Sequence, residues 1–135
     1  MKDLFGNEME EKEEKKNTGS CFTSYHAMTK TLIKEGIVPI SISVGKFKAM
    51  DSLQKKYIAL APTWAMLKAN YSWDDYRKLI LSKLTPEQVM NDLKRISEGK
   101  PFAILCFEKN DSECHRSIAA EWLRSSGFEI KEFVK

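Results

Sequence analysis

The sequence predicts an α/β domain, a mostly parallel sheet of about four to five strands with helices on both faces. Three observations carry that prediction. Short apolar runs of strand length alternate with stretches of helical periodicity, the pattern of crossover units rather than of hairpins. One whole unit is legible near the C-terminus, where the apolar run Pro101 to Phe107 precedes a helical stretch and the alternating Phe128 to Val134. A chain of 135 residues is also one domain by size, long enough to bury a real core.

The elements follow in order. Met1 to Asn17 is dense in charge, with Met1, Leu4, Phe5 and Met9 as its sizeable apolar groups. It cannot bury enough surface to offset its ordering entropy, so residues 1–17 are expected as a flexible leader and 18–135 as the domain. Cys21 to Tyr25, rich in β-formers, reads as the first strand, with His26 at its carboxyl end. Ala27 to Glu35 reads as a helix ended by Gly36. Ile37 to Ser43 makes the second strand, with Pro39 near its start or at an edge, and Gly45-Lys46 turns the chain.

Tyr57 to Leu60 is expected as a third strand, closed by Pro62, and Thr63 to Ala69 as a short helix. Ser72 is a good cap for a helix over Trp73 to Leu84, and Asp74 and Asp75 suit its dipole. Thr85-Pro86-Glu87-Gln88 is a strong start signal: a threonine cap, proline at the first helical position, and Gln88 where a capping box wants it. Pro101 to Phe107 is the next strand, and Asp111 or Ser112 caps the last helix, which Gly127 ends. The aromatic residues Trp64, Trp73, Tyr76 and Trp122, at helical spacing beside Leu and Ile, read first as core, with base stacking by Trp64 or Trp73 as the alternative.

Composition narrows the class. A hydrophobic fraction of 42% and a charged fraction of 30% are those of a soluble globular protein. No apolar run approaches the roughly 20 residues that cross a bilayer. The N-terminus has no apolar signal region, and three unevenly spaced cysteines do not read as a disulfide framework. A cytoplasmic location is the expectation. Net charge is +3; without residues 1–17 the body carries 18 basic against 13 acidic residues. That is a mild bias toward anionic partners, far from the basic stripe of a dedicated nucleic-acid binder.

The candidate site gathers at the carboxyl edge of the sheet, where open α/β folds bind ligands. His26 follows the first strand, Ser43 to Lys46 follow the second, and Cys106 ends the later one. Cys114, His115 and Arg116 arrive from the first turn of the last helix. Ile118, Ala119, Trp122 and Leu123 mark that helix's inward stripe, with Cys114 and His115 beginning it and Arg116 at its border.

The run LCFEKNDSECHRSIAAEWL, with a strand-end Cys and a later Cys-His-Arg-Ser, resembles the domain-of-unknown-function family 488. Phe22-Thr23-Ser24-Tyr25-His26 is similar to that family's opening strand, and Leu60-Ala61-Pro62 to its central Leu-Ala-Pro. The resemblance runs from about Ser20 to the C-terminus and implies an α/β fold with uncharacterised chemistry. Many members carry Asp-x-Arg after the second strand, where this chain has Ile40-Ser41-Ile42-Ser43, so no acidic or arginine residue carries over there.

Two chemistries suit the constellation. In the first, a thiol-dependent hydrolase or transferase uses Cys106, Cys114, His115, Arg116 and His26 as catalytic groups, because a helix N-terminus, an imidazole and a guanidinium each stabilise a thiolate. Arg116, Ser43, Lys46 and Glu108 would then hold an anionic small molecule or nucleotide. The compact Cys-x5-Arg loop of tyrosine phosphatases is absent. In the second, Cys106, Cys114, His115 and His26 bind zinc or iron, although the spacing fits no zinc-finger pattern. No cofactor is required by the sequence. A binding module for nucleotide or nucleic acid stands beside the enzyme, and so does a structural role in which Arg116 pairs with Glu108 or Glu121.

Overall fold

The computed structural model describes residues 20–44, 51–106 and 115–133. The expected leader, Lys46, Glu108, Cys114 and the Asp111 or Ser112 cap lie outside these residues. Five strands form one sheet: β1 Cys21–Tyr25, β2 Val38–Ser41, β3 Lys55–Lys56, β4 Phe102–Cys106 and β5 Ile130–Glu132. Their order is β3-β2-β4-β1-β5 and every pairing is parallel. The α/β domain predicted from the sequence is therefore the fold.

Handedness accounts for the layers. The connections from β3 to β4 and from β4 to β5 run across the sheet in one direction, and that from β1 to β2 runs in the other. Right-handed crossovers of opposite direction put their helices on opposite faces. Accordingly α1 (Thr29–Lys34) packs Leu32 with Ala103 and Leu105 on one face. On the other lie α3 (Trp73–Leu79), α4 (Pro86–Ile96) and α5 (His115–Arg124), whose Tyr76, Val89, Leu93, Ala119 and Leu123 cover Phe102 and Ile104. A single turn, α2 (Trp64–Lys68), precedes α3.

Central β4 is inaccessible at all five residues, which explains its unbroken apolar sequence. Burying each large side chain there contributes roughly 1.5–3 kcal/mol. Gly127, at φ +95°, supplies the left-handed residue that ends α5 and returns the chain to β5.

Several expectations are corrected. Tyr57 to Leu60 is not a strand: Ile58–Leu60 winds into a 3₁₀ turn that drops Leu60 into the core and leaves Ile58 exposed. The third strand is the lysine pair just before it, an exposed edge strand whose charges oppose further pairing. The helix expected over Trp73 to Leu84 stops at Leu79, and a separate 3₁₀ turn, Leu81–Lys83, follows after Ile80. Trp64 is not core. It opens a five-residue helix that buries Met66 alone, and it stands 59% exposed. Trp73 and Trp122 are half-buried.

Candidate functional site

Strand order decides where the chain's polar residues meet. The connection leaving β1 and those leaving β3 and β4 run in opposite directions, so the fold switches direction between the neighbours β1 and β4. In open α/β sheets that is where a crevice opens beyond the carboxyl ends. Tyr25 pairs with Cys106 in the β1–β4 register, which puts His26 and Cys106 side by side at this point.

On the α5 face the edge is built around Arg116. Its guanidinium is wholly buried and donates from Nη1 to Cys106 Sγ (3.3 Å) and from Nη2 to Glu132 Oε2 (3.1 Å). The other Glu132 oxygen accepts from the Thr23 hydroxyl. Thr23 and Glu132 are register partners of β1 and β5, so one carboxylate ties two strands to the head of α5. His115, also buried, donates from Nε2 to the Ile42 carbonyl (2.6 Å) and meets the Tyr76 ring edge-on. Tyr76 is itself held by donating to the Leu60 carbonyl (2.6 Å). Burial lowers the His115 pKa from its ordinary 6.5 to about 4; nearby Arg116 adds to the shift and the Ile42 bond opposes it.

On the α1 face His26 occupies a turn directly after β1 and is 1% exposed. Its Nε2 lies 3.5 Å from Ser43 Oγ, and its Nδ1 lies 2.8 Å from the Gln54 amide nitrogen. That nitrogen also donates to Thr29 Oγ1 (2.9 Å), whose hydroxyl donates to the His26 carbonyl (2.6 Å). Burial, followed by the positive charge of Lys56, brings the His26 pKa down from 6.5 to about 4; His115 and Arg116 also lower it. Both imidazoles are thus neutral near pH 7.

Cys106, His115, Arg116, His26 and Ser43, expected from the sequence to share this edge, are brought to it. Lys46, Glu108 and Cys114 lie outside the described residues. Arg116 is not at the border of the helix stripe but heads it, with Ala119, Ala120 and Leu123 behind. Among the described residues its carboxylate partner is Glu132, while Glu121 is exposed and Glu108 lies outside the described residues. The signal for Glu132 was present: in the alternating stretch it shares the inward register of Ile130, an acid on an apolar face. Gln54, in a loop before an edge strand, gave no such sign.

The expectation of free cysteines is also corrected. Cys106 is disulfide-bonded, while Cys21 is free, buried in the core, and has its thiol pKa pushed up by that burial. As for a metal, Cys106 is committed to that bond and His115 Nε2 to a carbonyl. Among the described residues no three His, Cys, Asp or Glu side chains gather around a point where an ion could sit. No described helix is long and apolar enough to cross a membrane.

Fold and site together define a small parallel α/β protein with a cysteine, two histidines and a buried arginine at the sheet's direction switch. A family model described as the active DUF488-N3 subclade matches residues 42–127, and the chain belongs to the DUF488 family. The matched span includes Gln54, Cys106, His115 and Arg116. No curated protein and no solved structure matches the chain.

Proposed function

We propose that the chain is a small thiol-dependent enzyme, a hydrolase or transferase, with the Cys106 sulfur as its nucleophile and an anionic, phosphate- or nucleotide-like substrate. The observation that carries this reading is the Arg116 guanidinium, buried without access to water and 3.3 Å from Cys106 Sγ. A fixed cation at that distance favours thiolate over thiol, the condition for nucleophilic attack. The working form is the reduced one, so a cytoplasmic location, where reductants keep thiols free, belongs to the same reading.

Roles follow from charge. Because His26 and His115 are neutral, they serve as proton carriers, not as counter-ions to the thiolate. Arg116 spends part of its charge on Glu132, so the substrate anion needs a further cation, and Lys56, whose positive charge acts on His26, is the candidate. Ser43, beside His26, supplies a hydroxyl to the same edge.

The test is to offer the reduced protein a panel of phosphate esters and nucleotides, following product and affinity together. Cys106→Ser should abolish turnover and leave affinity within a few-fold. Affinity that does not depend on Cys106, with turnover of nothing offered, would identify a nucleotide- or nucleic-acid-binding module instead.

A further inference from the structure

The group around His26 contains a residue that neither fold nor family assigns. We propose that Gln54 is the positioning residue of His26: its amide nitrogen donates to Nδ1 and commits the ring to presenting Nε2–H toward Ser43 at the sheet's edge. This rests on the enzymatic reading above only for its purpose, since the tautomer is a property of the resting protein.

The geometry supports it from three sides. A neutral imidazole has one N–H and one lone pair, so whichever nitrogen accepts a bond sends the hydrogen to the other. Gln54 Nε2 is 2.8 Å from Nδ1 and 2.9 Å from Thr29 Oγ1. Thr29 Oγ1 already donates its hydrogen to the His26 carbonyl at 2.6 Å and therefore receives one from Gln54. The group 2.9 Å away must then be a donor, which identifies it as the amide nitrogen and makes Nδ1 an acceptor. The ring itself is 1% exposed, so water does not compete for these positions.

The consequence is a division of labour. His115 also carries its hydrogen on Nε2, but spends it on the Ile42 carbonyl and keeps a lone pair on Nδ1. His26 keeps its lone pair occupied and holds its hydrogen toward Ser43. Of two histidines in the same tautomer, one presents a proton to the edge and the other does not. His26 is thereby suited to donate to a developing negative charge or leaving group, and not to deprotonate Ser43.

The chain has two histidines, so long-range proton–nitrogen correlation spectra of the intact protein labelled at histidine contain two ring systems, assigned with His26→Gln. We expect His26 Nε2 protonated, Nδ1 unprotonated, and a coupling across the hydrogen bond from the Gln54 side-chain amide to Nδ1. Gln54→Glu should reverse the pattern, its carboxylate drawing the hydrogen to Nδ1, and raise the His26 pKa against the opposing Lys56, His115 and Arg116 charges. Gln54→Leu should leave the two tautomers averaged, while His115 stays unchanged in both variants. A hydrogen on Nδ1 in the wild type, or an unaltered His26 pattern in the variants, overturns the proposal. The wild-type spectrum and coupling decide even where a variant fails to fold. An ordinary Cys106 thiol would refute the enzymatic reading and leave these spectra as they are.

Discussion

Arg116 and Glu132 form an ion pair whose two ends are unequally wet: the guanidinium side chain is 0% exposed and the carboxylate 31%. Removing the acid therefore takes a counter-charge from a guanidinium out of reach of water, whereas removing the base leaves a carboxylate that water partly reaches. We expect Glu132→Gln to lower the free energy of unfolding by about 3 kcal/mol and Arg116→Met by less, measured by urea denaturation. The reverse order would mean that the carboxylate, not the arginine, depends more on the pair. The two histidines set the acid response. Each has a folded pKa of about 4, below the ordinary 6.5, so the neutral form is native and the unfolded chain binds more protons between those values. Stability is then fully present above pH 6.5 and falls as pH drops through that window, by about 1.4 kcal/mol per pH unit for each histidine. His115→Gln should make the slope shallower by that amount, and an unchanged slope would show that its burial does not hold the ring neutral. At this scale Cys106, His115 and Arg116 were readable because they cluster in sequence and at element ends. Glu132 shows in the sequence only as an acid in an inward register, and Gln54 not at all, since the partner of each is set by the tertiary fold.

At the scale of elements, the helix starts were the most legible features, and their chemistry differs from the simple expectation in an instructive way. Ser72 and Asp75 close a full capping box, the serine oxygen accepting from the Asp75 amide and the aspartate from the Ser72 amide. At α4 Thr85 caps the Gln88 amide, but the Gln88 side chain reaches forward to Asp92 and does not close a box. Ser72→Ala should therefore cost about 1 kcal/mol, whereas Gln88→Ala should stay within about 0.5 kcal/mol, both read from thermal or urea unfolding. Equal losses would mean that the box contributes nothing beyond a surface contact. The misplaced third strand has a physical reason too. Two β-formers in Tyr57 to Leu60 outweigh Lys55-Lys56 by propensity, yet β2 offers its edge to the lysines, through pairing of Ile40 with Lys55 and Ser41 with Lys56. Tertiary pairing overrode local preference.

For the whole molecule, the parallel sheet was predictable from alternation, because each crossover unit announces itself locally. Strand order was not, since nothing local says that β4 inserts between β2 and β1. That insertion makes the site, for it sets Cys106 beside His26 and brings the head of α5 over both. The expected division at residue 17 is a matter for the same scale: a chain beginning at Thr18 should melt within a few degrees of the full chain, and loss of cooperative unfolding would refute that boundary. The central claim is that Arg116 makes Cys106 a thiolate. It is tested most directly by following the ultraviolet thiolate absorbance against pH in a reduced Cys21→Ala, Cys114→Ser chain, in which Cys106 is the sole thiol. We predict a midpoint well below the ordinary value of about 8.5, moving upward when Arg116→Met is added. A midpoint at or above about 8.5 that Arg116→Met leaves in place would contradict the account.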